Sequence, residues 1–309
     1  MSDTGHDASR RAESGGRRGF FRALAGVSAA AVGGVAGVQI LQSSRAEAAE
    51  IPPPLAEPAG NILVRMQREL EQAVSGGKTP SWRMVVDTRK CIGCDACTVA
   101  CKAENPTGPG ANFRKVIQLD LPTGPRPWAI YKPVNCLQCD DAPCMRAVPQ
   151  GMIVKRADGI VEFDQAKLRG PYAEAAVKAC PLNQAHVETG RTYTESTPNP
   201  QEYEARSFVE NGAAYSRKPG ANRLVGAARK CTFCSHQIYS GVLPACVSTC
   251  MGGAMYFGDA NNPQGLIQEL TKGRTVFKGH EDRGLKPRVI YFTESMPDTP
   301  HLDCVACHS

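Results

Sequence analysis

The sequence predicts a loop-rich α+β fold, and three observations carry that reading. Gly (30) and Pro (23) are abundant across 309 residues, while aromatic residues make up only 6%. Such a chain turns often and needs something besides side chains to fill its core. Fourteen cysteines are gathered in short runs. Brief segments of strand and helix character lie around those runs.

The elements can be justified in chain order. Residues 17–26 read RRGFFRALAG, followed by a weakly apolar Ala/Gly stretch to Leu41 and by Ala46-Glu47-Ala48. This resembles a twin-arginine export signal, with basic, apolar and cleavage segments in order. Gly16, Phe21 and Arg22 depart from its usual residues. An uncleaved membrane anchor is the alternative, since residues 23–41 are about the length of a span, but Gly and Ser among Ala make a poor one. Residues 1–48 are assigned to this signal. Residues 49–80 form a Pro-rich linker and a short helix, because Ile62, Leu63, Met66, Leu70 and Val74 recur at helical spacing. WRMVVD (82–87) is a strand leading to the first cysteine run, and DGIVEFD (158–164) a turn and strand. A helix is expected at 266–270 and a strand at 289–292.

The first run, CIGCDACTVAC, places Cys91, Cys94, Cys97 and Cys101 at spacings of three, three and four. In a bacterial ferredoxin run the first three thiols hold one iron–sulfur cluster and the fourth reaches across to another. A partner run must then exist. Cys136, Cys139 and Cys144 form a second run, with Val148-Pro149 where Cys-Pro is expected. Counting back from Cys180-Pro181, a third run would hold ligands at Gly170, Ala173 and Ala176. A shifted register would use Leu168, Pro171 and Glu174, and neither register offers a thiol. The last run has Cys231 and Cys234, then Cys246 and Cys250 after an eleven-residue insert.

Crossing the first run with the last, and the second with the third, gives three complete sets. Cys91, Cys94, Cys97 and Cys250 form the first; Cys231, Cys234, Cys246 and Cys101 the second; Cys136, Cys139, Cys144 and Cys180 the third. A fourth set would need Val148, Gly170, Ala173 and Ala176, and all four thiols are missing together. Three [4Fe–4S] clusters are therefore expected. Zinc in paired C-x-x-C units leaves the tight triple spacing unexplained, and repeated C-x-x-C loops argue against a disulfide framework. Gly93 and Ala96 are expected to let backbone N–H groups turn toward cluster sulfurs.

The last two cysteines lie in HLDCVACHS. Cys304, Cys307 and His308 match the C-x-x-C-H signature of covalent c-type haem attachment. Only Ser309 follows, so a distal ligand would come from upstream, with His301 a candidate, or from a partner. Chance occurrence or an oxidised pair in the tail is the competing reading.

CIGCDACTVACKAEN, CLQCDDAPC, KCTFC with GVLPACVSTC, and GDANNPQ with LKPRVIYF together resemble the iron–sulfur electron-transfer subunits of bacterial respiratory complexes. This is the family of the dimethyl sulfoxide and polysulfide reductase B subunits and the NrfC proteins. The cluster count and export signal narrow the resemblance toward the iron–sulfur subunit of the sulfite-reduction-associated membrane complex (DsrO type). The resemblance implies two tandem, interleaved ferredoxin-like folds, here with extended N- and C-terminal arms. Residues 81–132 and 230–260 would be the halves of the first fold and 133–190 the second, which lacks one cluster. Residues 191–229 are a connecting excursion and 261–309 a C-terminal arm.

The implied function is electron relay on the periplasmic, extracytoplasmic side of a membrane. The expected partners are an NrfD/PsrC-like quinone-active integral membrane subunit and a catalytic subunit or multihaem cytochrome c. A molybdopterin oxidoreductase of sulfur, nitrogen or arsenic compounds is the variant reading, and a structural iron–sulfur scaffold is the reading from another class. No nucleophile–base pair is legible, and His186 and His236 read as loop residues. The mild net charge of +6, with no basic stripe interleaved with aromatics, excludes nucleic acid as an evident partner.

Overall fold

The computed structural model describes residues 60–121, 128–194, 202–218, 220–272, 276–277 and 284–292. The export-signal expectation and the C-x-x-C-H tail lie outside these residues. Among the described residues no helix is long and apolar enough to cross a membrane.

Helix α1 (Ile62–Ser75) starts where Asn61 caps it, its side-chain oxygen accepting from the Leu63 and Val64 amides at 3.1 and 3.3 Å. It lays Met66 and Leu70 on the sheet. Strand β1 (Trp82–Asp87) is almost entirely buried, as expected of a strand covered on both faces. Helix α2 (Ala96–Glu104) follows the first cysteine loop. Strands β2 (Arg114–Leu121) and β3 (Trp128–Asn135) make an antiparallel hairpin that delivers the second run.

The second fold is built from α3 (Pro143–Arg146), β4 (Ile153–Lys155), β5 (Val161–Phe163), α4 (Pro171–Lys178) and β6 (Ala185–Val187). The 191–229 stretch contains α5 (Glu202–Ala205) and the hairpin β7 (Ser207–Glu210) with β8 (Ala213–Ser216). Strand β9 (Ala228–Lys230) then pairs back on β6. Turns α6 (Ser235–Ile238) and α7 (Ala245–Ser248) carry the last run, and β10 (Met255–Asp259), α8 (Leu266–Thr271), β11 (Val276–Phe277) and β12 (Val289–Phe292) complete the chain.

The largest sheet has the order β10-β1-β12-β11, with β1 antiparallel to β10 and parallel to β12. Trp82 stacks on Phe257 at 5.4 Å, and Phe233 meets Phe257 edge-on at 5.4 Å. The main core thus joins the beginning of the described chain to its end. A separate, smaller core fills the second fold with Val148, Ile153, Phe163, Leu168, Ala173 and Ala176 among its members.

The excursion is fastened by buried charge. Arg229 on β9 pairs with Glu188 at 2.6 Å and with Glu210 at the end of β7, while Arg217 pairs with Glu188 at 2.9 Å. All four side chains are buried. Arg229 also donates to Tyr215 and to the Pro106 carbonyl, clipping the hairpin to the loop after α2. Burial alone would raise the Glu188 carboxyl, but Arg229 and Arg217 outweigh it and hold it below the usual range. Its folded pKa is depressed, so its contribution is fully present above the unfolded value and drains as pH falls through the folded one.

Arg229→Met would leave two buried carboxylates short of their cation. It should cost about 3–5 kcal/mol, read as a lowered urea midpoint. A midpoint equal to the parent's would show that the network contributes nothing.

Candidate iron–sulfur site

The twelve described cysteines are all free thiols, and the fold gathers them in three groups. Cys91 lies within electrostatic reach of Cys250 and Cys94, and Cys97 within reach of Cys250 and Cys91. Cys101, by contrast, has Cys246, Cys234 and Cys231 as its thiol neighbours. Cys139 is surrounded by Cys136, Cys180 and Cys144. One cavity is lined by Cys91, Cys94, Cys97 and Cys250, and another by Cys136, Cys139, Cys144 and Cys180. The second group stands between the other two, because Cys97 faces Cys246 and Cys231 faces Cys136.

The loops present these thiols by a repeated backbone device. The residue two places after the first cysteine of each run has positive φ: Gly93 at 70°, Gln138 at 52° and Phe233 at 57°. Only glycine takes that conformation without cost, so Gln138 and Phe233 each carry about 1–2 kcal/mol of backbone strain. A side chain at Gly93 would also strike the Tyr131 ring. The turn aims amides at sulfur. Gly93 N–H bonds the Cys91 thiol, and Phe233 N–H donates to Cys231 Sγ at 3.4 Å. The remote cysteines use a second form, in which Gln184 N–H reaches Cys180 Sγ at 3.4 Å and Ala254 N–H reaches Cys250 Sγ at 3.2 Å. Asn183 and Gly253 supply the positive φ there.

Side chains add to this donor shell. Asn105 donates to Cys234 Sγ at 3.3 Å, and Asn135 donates to Cys231 Sγ at 3.7 Å and to the Cys136 carbonyl at 3.0 Å. Gln138, wholly buried, donates to the Cys231 carbonyl and accepts from Val161 N–H and Lys230. Lys155 ties the Gln138 and Cys139 carbonyls at 2.8 and 3.0 Å. Sequence reasoning does not single out Asn105, Asn135, Gln138 or Lys230. The available signal is position, since Asn135 and Lys230 immediately precede Cys136 and Cys231.

Burial pushes the thiols up, with help from neighbouring thiols: Cys97 and Cys231 to about 11, Cys144 to about 12. Thiolates crowded together in such a place need a positive centre to stay ionised. Four sulfurs per group, amides aimed at them and an apolar surround fit a four-iron cluster, whose ligands are thiolates with N–H donors behind them. Among the described residues no three His, Cys, Asp or Glu groups stand close enough to hold a single metal ion.

Three of the four positions that lack a thiol belong to the core. Val148 on one side and Ala173 and Ala176 on the inner face of α4 are buried in one apolar cluster. Gly170 precedes α4 with φ of 52°. In the register counted back from Cys180, Ala173 and Ala176 are buried and Gly170 is exposed; in the alternative register Leu168 is buried and Pro171 and Glu174 are exposed. His186 and His236 are not loop residues. His186 lies on β6, where burial and then Arg229 lower its imidazole to about 4. His236 is in α6 and pairs with Glu104 at 2.6 Å. Period-2 and helical signals are weak in elements of three or four residues, which is why both segments read as irregular. Cys304, Cys307 and His308 lie outside the described residues.

This fold and thiol arrangement define a ferredoxin-type iron–sulfur protein, and the sequence profile of the 4Fe–4S dicluster domain matches residues 128–197 and again 197–260. The chain is 36% identical over 296 residues to the B subunit of selenate reductase from Mesobacillus selenatarsenatis, covering 92% of this chain and 99% of that one. It is 32% identical to the B subunit of tetrathionate reductase from Salmonella typhimurium (70% and 74% of the two chains). It is 29% identical to ArrB, the iron–sulfur subunit of the arsenate respiratory reductase of Shewanella sp. (67% and 94%). The chain belongs to the family of iron–sulfur B subunits of the respiratory reductases, and its role is electron transfer.

If Cys101 serves the distant cage, Cys101→Ser should disturb the same component of the reduced EPR spectrum as Cys231→Ser. It should spare the one altered by Cys91→Ser. Spectra in which Cys101→Ser instead matches Cys91→Ser would overturn the crossing.

Proposed function

We propose that this chain is an extracytoplasmic electron-transfer subunit holding three [4Fe–4S] clusters, with one covalently attached haem c on its C-terminal tail. The observation that carries the reading is the grouping of twelve thiols into three cages, the second standing between the first and third. Cys91, Cys94, Cys97 and Cys250 would hold one cluster. Cys101, Cys231, Cys234 and Cys246 would hold the next, and Cys136, Cys139, Cys144 and Cys180 the last. When bound, such clusters supply reversible one-electron chemistry. The chain contributes ligand geometry, amide donors to sulfur and exclusion of water, which set each potential.

The first cage approaches the surface, because Cys94 is exposed and Ile92, which lines it, is 60% exposed. Apolar side chains around a cage mouth suit docking of a redox partner. A catalytic subunit or multihaem cytochrome c fits one end, and a quinone-active integral membrane subunit the other. Similarity to the selenate and arsenate reductase subunits favours an oxyanion-reducing molybdopterin partner. The RR motif at Arg17-Arg18 supports twin-arginine export, which carries a protein already folded around its clusters. A structural scaffold role would leave the centres redox-silent in a potentiometric titration, whereas relay requires that all three cycle.

Iron analysis of the purified chain should return about 12 irons in clusters and one in haem. A value near 16 for the clusters would restore a fourth centre and sink the three-cluster reading. Haem staining of the periplasmic fraction should be positive for the parent, negative for Cys304→Ala, and lost with the protein itself in an Arg17→Lys/Arg18→Lys variant. Stain retained in Cys304→Ala would remove the haem assignment, and export of the double-lysine variant would remove the twin-arginine route.

A further inference from the structure

Arg114 opens β2 and is buried to 2% exposure, yet among the described residues no carboxylate pairs with it. One terminal nitrogen, Nη2, donates to Asn135 Oδ1 at 2.9 Å and approaches Met84 Sδ at 2.9 Å. The other, Nη1, is fully enclosed and makes no hydrogen bond. A buried cation with no counter-ion is strongly destabilising, and guanidinium cannot escape by losing its proton.

The surroundings identify what balances it. The strongest electrostatic neighbours of Arg114 are the thiols of Cys246, Cys97, Cys231 and Cys101. Cys97 belongs to the first cage and the other three to the second. Cys91 of the first cage feels the same guanidinium. Asn135 extends the link, since it accepts from Arg114 and donates to Cys231 Sγ. A four-iron core ligated by four thiolates is a net anion, and taking up an electron makes it more negative, with no bond formed or broken.

We propose that Arg114 is the shared counter-cation of the first and second cages, raising the reduction potentials of both and easing the presence of an electron on each beside the other. The proposal rests on the three-cluster reading above. The β2–β3 pairing sets Arg114 opposite Asn135, and the hydrogen bond from Nη2 to Asn135 Oδ1 holds the guanidinium there. The third cage has its own cation, Lys230, which lines it and acts on Cys144 and Cys180. Arg114 should therefore act on two centres out of three.

The test is potentiometric EPR titration of the full chain with its clusters, read beside iron content. Arg114→Met should shift the midpoints of the first and second clusters to more negative values and leave the third where it was. Arg114→Lys, which keeps the charge, should fall between that variant and the parent. Unmoved midpoints, or an equal shift of all three, would overturn the proposal. Should Arg114→Met fail to retain iron, Arg114→Gln removes the charge while keeping a polar side chain and should lower the same two midpoints; parent-like values there would overturn it equally. A parent chain that lacks three EPR-active clusters would defeat the three-cluster reading instead, and iron content distinguishes the two failures.

Discussion

Cys97 and Cys101 lie four residues apart on one face of α2, and Cys246 and Cys250 are spaced by four in and just after α7. The two helices pack together, and each offers one thiol to either cage: Cys97 meets Cys250, and Cys101 meets Cys246. That reciprocal exchange is the constraint on which the rest depends. It can be satisfied only if residues about 150 positions apart in the chain are neighbours. β1 must then lie beside β10 and β12, and the whole second fold must be enclosed between the halves of the first.

The second fold repeats the arrangement with one couple changed. Cys144 and Val148 are spaced by four in and after α3, and Ala176 and Cys180 by four in and after α4; the two helices pack as α2 and α7 do. Cys144 and Cys180 share a cage, while Val148 and Ala176 meet in an apolar core. Val148, Ala173 and Ala176 pack as a dry apolar core that needs no positive centre. Loss of only one or two ligands would instead have left buried thiols without partners in an emptied cage. Gly151, three residues beyond Val148, keeps the positive φ that Gly253 and Asn183 have beyond Cys250 and Cys180. The same turn therefore follows Val148 and the two cysteines alike.

Charge is distributed around the sulfur in a consistent way. Among the described residues, Arg114 and Lys230 stand beside the cages without close carboxylate partners of their own, while the carboxylates Glu188 and Glu210 are kept apart and matched by Arg217 and Arg229. A buried carboxylate near a thiolate cage would oppose its negative charge, and a buried cation supports it. The polar excursion at 191–229 serves this separation. It brings Glu210 and Arg217 into the interior with Arg229, which lies only two residues before Cys231, and so occupies that arginine with acids away from sulfur.

Residue spacing marks the cysteine runs, because such a loop is a local device whose intervals are set by a few backbone dihedrals, and the grouping across runs follows from the crossing rule added to it. The same holds for α1, β1, α8 and β12, whose apolar patterns or continuous burial are readable over four or more residues. The three-residue strands that carry His186 and Arg229 were too short to show a period. Only the tertiary structure decided that the second cage lies between the first and third, that Ala173 and Ala176 point inward, and that Arg114, Asn135 and Gln138 join neighbouring cages. Each of these rests on contacts between segments from about 20 to 150 residues apart. Such contacts depend on how the hairpin β2–β3 and strand β9 pack, which no local pattern of residues encodes.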